Sequence, residues 1–591
     1  MDWDAIRTRF EERSKQKFRE QRETAMGVED EIAHLDPDSF ESLTRDSYQQ
    51  TLDRLGEQEG IDLKYEDDSP WTDVPVAALV HDSFFEEELA DLDGFFPDEG
   101  FFPQEYDDVV AEVSYDLSNE LEKATGVNLG LHEAHVERRL IDELKLDAVP
   151  QGTGLYRLGH VPGLIVDDVD DFYDRERFDE DGCPTQEESR PYMTQKRRYV
   201  DHLKSHGTDV MAIGGTDSIQ VTMRPRMESD VDTMFADFYS GEGDVGMSAL
   251  APLLYAPFMS SPVLGEDGGL ESHMGREWAY SKGLDDSDYS DDQKYGFIEE
   301  LTEVDGLADV MDVFAKKTFQ FSAGVEAGGL EVVGEDGTLD EVYGDEHTQL
   351  ASDTAVNVRV GHGEGTMTFQ DFVDERAFEG IVSLPAEGEE DGDEVVVRAD
   401  YERLDDDAFV EEAWKHFIAH SSGVWPNFNP RFDVGAFESR DFGNSPRIKE
   451  AVDTQAGAFL RWRELERYAD EVLDLTNNDA AALRDGVARE GLDYELPNGM
   501  TVREAWYGPD REDGLLDIVK DGVRDAAYGP SFGDSADAEG LRDTYRFMYG
   551  QAMEEYLEEG TYSEVFAELY REEGLAAAMA DACVGDVDDP V

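Results

Sequence analysis

Between Asp217 and Arg224 the chain alternates: Ser218, Gln220, Thr222 and Arg224 fall on one side, and Ile219, Val221 and Met223 on the other. Side chains of a strand point to its two faces in turn, so this spacing predicts a half-buried strand. Its polar row is neutral and hydrogen-bonding rather than acidic, which leaves open a cleft-lining strand or an ordinary one. Strand-like runs recur as IDLKYED and VPVAALVHD between Ile61 and His81, VNLGLH after Gly126, GLYRLGHVPGLIV, and VGAFESRDF. Strand pairs with acidic turns are predicted over 324–360 and 389–400.

Helical spacing governs much of the rest. It predicts helices over the first 25 residues, over 38–56 with Asp38 or Ser39 as cap, and over 106–125 closing at Gly126. Further helices are expected from Met193 to about Ser205, through most of the chain to Phe319, in DDDAFVEEAWKHFIAH, and almost everywhere beyond Pro446 except a loop at 498–512. The segment Trp425-Pro426-Asn427-Phe428-Asn429-Pro430 reads as irregular, and the stretch 167–189 as an acidic solvated loop. No internal repeat or long flexible linker is visible. The expected organisation is a catalytic sheet core over 1–445, a helical region over 446–575 packed on it, and a frayed tail over 576–591.

Composition changes this picture in one respect. Asp and Glu number 141 against 50 Lys and Arg, a formal net charge of −91, spread along all 591 residues. Such self-repulsion destabilises a compact state unless salt screens it, and the Debye length shrinks to about 3 Å at 1 M. A salt-adapted, cytoplasmic protein is the expectation. So acidic a surface disfavours nucleic acid as a partner, because phosphate binding needs basic patches. The start MDWDAIRTRFEERSKQKF carries no apolar leader-like run, no 18-residue apolar stretch exists to span a membrane, and Cys183 and Cys583 are too few for a disulfide framework.

Four segments can carry chemistry. In Gly27-Val28-Glu29-Asp30-Glu31, Glu29 and Glu31 share a strand face about 7 Å apart and could hold Mg²⁺ through hard oxygens, the alternative being a wet acidic surface. Gln220 stands on the polar row described above. In Phe437-Glu438-Ser439-Arg440, the carboxylate and guanidinium either form a plain ion pair or divide the work of phosphoryl transfer, Glu438 on metal and Arg440 on phosphate. Lys196-Arg197-Arg198-Tyr199 is a basic cluster suited to ion pairing or to an anionic substrate. No GxxxxGK[ST] loop, HExxH or paired CxxC is present, and Gly361–Gly365 is a weak loop signal.

In order and spacing these segments resemble the glutamate–cysteine ligases, the plant and proteobacterial branch in particular. A K-x-R-Y element before a T-V-Q-V-N strand is matched by Lys196-Arg197-Arg198-Tyr199 and Ser218-Ile219-Gln220-Val221-Thr222. An F-x-x-S-P element is matched by Phe258 to Pro262. A helix ending in His, a W/F-P turn and an L-E-x-R strand are matched by His420, Trp425-Pro426 and Phe437 to Arg440. The departures are Thr222 for the family's Asn, and Arg276 two residues before Trp278, with His273 five before it. The family's intervening-strand carboxylate has only Glu133 as a candidate.

The resemblance implies an α+β fold of glutamine-synthetase-like type, a curved antiparallel sheet forming a funnel with helices outside and a helical C-terminal region. It implies ATP and Mg²⁺ as cofactors, glutamate and an amine such as cysteine as substrates, and γ-glutamyl phosphate as the activated species. Glu29, Glu31 and Glu438 are then metal ligands, with Arg440 on the phosphates and Gln220 on the site wall. Lys196, Arg198 and Arg276 are substrate- or nucleotide-binding. Alternatives are a γ-glutamyl ligase for another amine or peptide, a catalytically silent binding relative, and a guanidino kinase.

Overall fold

The computed structural model describes residues 2–20, 25–37, 40, 45–65, 75–81, 83–85, 109–114, 122–125, 130–159, 217–224, 230–241, 243, 245–264, 269–274, 298–317, 319–322, 330–333, 339–341, 357–359, 361–362, 365–383, 394–401, 404–422, 424, 426–509, 513–528 and 536–584. The expectations placed on Lys196, Arg198, Arg276, Cys183 and the 167–189 loop lie outside these residues.

Four of the predicted runs, IDLKYED, VPVAALVHD, SIQVTMR and VGAFESRDF, become strands of one antiparallel sheet, while GLYRLGH supplies a strand of a separate two-stranded pair. The members of the large sheet are β1 (Ala25–Asp30), β2 (Ile61–Tyr65), β3 (Pro75–His81), β4 (Val109–Ser114), β5 (Glu122–Thr125), β6 (Ser218–Arg224), β7 (Phe428–Arg431) and β8 (Ala436–Gly443). Their order is β7-β8-β6-β1-β5-β4-β3-β2. Strands distant in sequence thus meet at the centre: β1 pairs with β6 across Glu29↔Gln220 and Gly27↔Thr222, and β6 pairs with β8 across Thr222↔Glu438. A second, four-stranded antiparallel sheet holds Leu330–Val333, Leu339–Glu341 and Glu394–Asp400, which fall where strand pairs are predicted, and Ala377–Ser383, which falls between the predicted stretches.

One face of the large sheet is apolar and carries the helices. Ile219, Val221 and Met223 of β6, Met26 and Val28 of β1, and Phe437 and Phe442 of β8 are all buried in the main core. Helix α1 (Trp3–Glu20) reaches this face because Trp3, Ile6, Phe10, Ser14 and Phe18 recur at helical spacing and are buried together. Phe18 meets Phe437 at a centroid distance of 5.7 Å, and Phe238 of α4 (Val231–Ser240) stacks on Phe437 at 4.6 Å. At the other end α2 (Arg45–Leu55) and α3 (Leu131–Ala148) cover β2, β3 and β4 with a separate cluster that includes Leu52, Leu55, Val80, Val113 and Ile141.

Four expectations are corrected. The predicted helix over 106–125 is the pair β4 and β5, joined edge to edge as Glu112↔Ala124. Of the predicted strand VNLGLH, Leu131 and His132 instead open α3. The irregular Trp-Pro-Asn-Phe-Asn-Pro segment contains β7, which hydrogen-bonds β8 as Asn429↔Glu438. The tail expected to fray from 576 forms a helix from Leu575 to Ala582 whose Ala578, Met579 and Ala582 are buried. Among the described residues no helix is long and apolar enough to cross a membrane.

Candidate active site

Strand alternation that sends Ile219, Val221 and Met223 into the core sends Ser218, Gln220, Thr222 and Arg224 to the opposite face. Register then adds neighbours to that polar face. Glu29 lies beside Gln220, Glu438 beside Thr222, and Asn429 beside Glu438. Because paired residues of an antiparallel ladder share a face, the row Asn429–Glu438–Thr222–Gly27 runs across four strands. Gln220 and Glu29 form the next row, which continues through Ala124 of β5 to Glu112 of β4.

The position of β1 is fixed from behind. Asp30, on the opposite face from Glu29, is fully buried and takes a bidentate grip from Arg157 at 2.8 and 3.0 Å. Arg157 also reaches Asp142 at 2.8 Å, while Asn444 donates to Asp30 at 3.0 Å and to the Glu31 carbonyl. Burial alone would raise the Asp30 pKa, but Arg157 and Lys145 outweigh it and hold the carboxyl down to about 2. This clamp joins the end of β1 to the end of β8 and so sets the spacing between Glu29 and Glu438.

On the polar face Glu31, just past β1, receives the Ser218 hydroxyl at 2.6 Å, the Ser218 amide and the Gln220 side-chain amide at 3.3 Å. Glu438 is wholly buried, with one oxygen accepting from Arg431 Nη1 at 2.7 Å and the other from Arg440 Nε. Burial would push the Glu438 carboxyl up, but Arg440 and Arg431 hold it below its ordinary value. Glu29 behaves oppositely: burial first, then the Glu438 charge, pushes its pKa up to about 7 against the pull of Arg440 and Arg431. Two neighbouring carboxylates are therefore driven apart in proton affinity by their surroundings.

The fit of Mg²⁺ can be read from these oxygens. Gln220 Oε1 is buried and has no hydrogen-bond donor, and Glu29 is ionised only at a cost that a nearby cation would remove. Both suit a hard cation. Glu438 is committed to two guanidinium groups instead, and Glu31 to Ser218. Among the described residues no three His, Cys, Asp or Glu side chains stand together closely enough to hold a metal. As arranged, Glu438 reaches a cation only by giving up an arginine.

Of the eight residues singled out from sequence, Glu29, Glu31, Gln220, Glu438 and Arg440 come together here. Glu133 does not join them, because it is buried on α3 behind the sheet. The polar face carries three residues that sequence reasoning passed over: Asn429 and Arg431 on β7, and Glu112 on β4, 3.7 Å from Lys64. The β-branched valines around Glu112 in Val109-Val110-Ala111-Glu112-Val113 were the signal for a strand there. His420 is a core residue, bonded to the Phe314 carbonyl at 2.9 Å and stacked on Phe369. His273 likewise serves packing, with Nδ1 2.8 Å from Thr561 Oγ1.

No protein-family model matches the chain, and no curated protein matches it. Among solved structures it is similar to a bifunctional glutathione synthetase from Pasteurella multocida, at 10% identity and a TM-score of 0.34, over 96% of this chain and 53% of that one. The chain thus spans about half the length of that enzyme. It is also similar to a glutamate–cysteine ligase from Francisella tularensis in complex with AMP, at 10% identity and a TM-score of 0.29, over 93% of this chain and 98% of that one.

Proposed function

We propose that the chain is an ATP- and Mg²⁺-dependent carboxylate–amine ligase that forms a γ-glutamyl amide, with glutamate and cysteine as the first candidates for substrates. The observation that supports this reading most is the polar sheet face, where Glu29, Gln220, Glu438 and Arg440 converge from strands about 400 residues apart in the chain. A carboxylate is a poor electrophile, so an amine cannot displace its oxygen until a better leaving group is attached. Phosphorylating the γ-carboxylate supplies one, and the amine then expels phosphate.

The residues divide that task by their chemistry. Glu29, Gln220 and Glu438 would hold Mg²⁺, which when bound offsets phosphate charge; Glu31 and Glu112 stand at the margins of the same face. Arg440 and Arg431, both now donating to Glu438, carry the N–H donors that suit anionic phosphate oxygens. A second reading, a catalytically silent binding relative, draws on the double arginine engagement of Glu438.

Release of ADP from ATP separates these readings. Release that requires glutamate and is accelerated by one member of an amine panel supports the ligase. Release without glutamate, driven by a guanidino compound, would transfer the assignment to a guanidino kinase. No nucleotide turnover by a folded sample would leave the silent relative.

A further inference from the structure

We propose that the outer face of the helix over Ala536–Glu559 is a docking surface for a second copy of this chain, the two helices packing antiparallel about a two-fold axis near Thr544. The helix is held to the body of the protein by its other face. Tyr545, Tyr549, Met553 and Leu557 recur every fourth residue and are buried. The Tyr545 hydroxyl donates to Asp453 at 2.9 Å, and the Tyr549 hydroxyl lies 2.7 Å from Thr454 Oγ1. The outward stripe is made of Gly540, Leu541, Thr544, Phe547, Met548 and Gln551. Leu541, Phe547 and Met548 are 43%, 62% and 46% exposed, and they are three of the four large apolar side chains that stand exposed among the described residues. A single exposed apolar residue needs no partner, but several on adjoining turns mark a surface that another body covers.

Charge decides which body. The chain carries a formal net charge of −91, yet the stripe carries none, and Asp543 on its flank is answered by Arg524 at 2.6 Å. A partner of opposite charge gains most by docking where carboxylates are dense. A partner as acidic as this chain closes only where charge is absent, and a second copy is such a partner. The far end of the helix sets the direction of packing, because Glu554, Glu555 and Glu558 are exposed on its last turns. Parallel helices would set these carboxylates side by side across the contact. Antiparallel helices centred on Thr544 set Phe547 of one copy against Leu541 of the other. They also carry the glutamates past the end of the opposite helix, which begins at Ala536. The helix dipoles then run in opposite directions, which also favours the pair. The apolar area is well short of a standard interface, so the dimer is weak and forms where salt screens the net charge.

The test is sedimentation equilibrium of the full chain in KCl from about 1 to 3 M, a range over which screening grows. The parent should show a monomer–dimer equilibrium that tightens as KCl rises. Phe547→Glu and the uncharged Phe547→Ser should each weaken it about 30-fold, as loss of a central aromatic contact does, with the thermal midpoint of the monomer unchanged. Direction is read by oxidative cross-linking in a background where Cys183 and Cys583 are replaced by Ser. Thr544→Cys should give a covalent dimer and Glu558→Cys should not. A parent that stays monomeric at every concentration overturns the proposal and leaves the stripe to a different partner. A dimer that both Phe547 variants leave intact overturns it as well, since the copies then meet elsewhere. Cross-linking at Glu558→Cys as efficient as at Thr544→Cys overturns the antiparallel pairing.

Discussion

His416 shows how a single side chain is set by its surroundings. It is fully buried among Phe319, Phe372, Phe378 and Tyr401, with Nε2 2.9 Å from the tyrosine hydroxyl. Burial pushes its pKa down to about 3, and burial likewise lowers His135, His273 and His420 to about 4. In the unfolded chain these imidazoles bind protons below about 6.5. Each therefore contributes stability that is complete above that pH and is lost as pH falls toward the folded value. The slope is at most about 1.4 kcal/mol per pH unit per histidine. Urea unfolding in molar KCl should show a pH dependence between 6 and 4.5 that is shallower, by up to one proton, in His416→Gln. An unchanged slope would mean that His416 is not held neutral in the folded state.

At the scale of elements, the sheet's polar face depends on the helices packed behind it. Helix α5 (Ile448–Leu460) touches β8 through Phe459 and Phe437 at 5.9 Å, and it is itself backed by a helix over Leu515–Ala526. Those two helices cross at glycines: a Cβ on Gly522 would stand 2.1 Å from the Gly457 carbonyl oxygen. Gly522→Ala must push the helices apart, and the expected loss of stability is about 1–3 kcal/mol, read from urea midpoints. A neutral result would show that the crossing yields cheaply.

The same scale explains what could be read in advance. Strand β6 was legible because its polar row is neutral, so alternation stands out against an acidic chain. Strand β4 was not, since Val109, Val113, Leu117 and Leu121 fall four apart and imitate a helical stripe, although Val109 to Ser114 is a strand. Glu112 was lost with it. Glu29, Glu31, Gln220, Glu438 and Arg440 were recognisable from motif order. Asn429 and Arg431 were not, because only pairing with β8 gives them a partner, and register is a long-range property that no local spacing carries. The Arg157–Asp30 clamp was hidden for the same reason, its members lying 127 residues apart.

For the whole molecule the dominant fact is the formal charge of −91. Many exposed ion pairs, such as Arg9–Asp407 and Arg13–Glu411, are each worth roughly 0–1 kcal/mol and cannot offset repulsion on that scale. Screening must do so. The thermal midpoint should rise as KCl is raised from about 0.1 to 2 M, most steeply at the low end where the Debye length changes fastest. A midpoint independent of salt would contradict a salt-adapted surface. Glutamate activation on the polar face of the large sheet, as proposed above, is read out with hydroxylamine, which traps an acyl phosphate whatever the natural amine is. The protein in molar KCl with Mg²⁺, ATP, glutamate and hydroxylamine should yield γ-glutamyl hydroxamate. The yield should fall by about 100-fold or more in Glu438→Gln, since one preorganised charge contact carries that much of a barrier. A folded, salt-stabilised sample that makes no hydroxamate, or makes it equally well without Glu438, would rule out glutamate activation at this face.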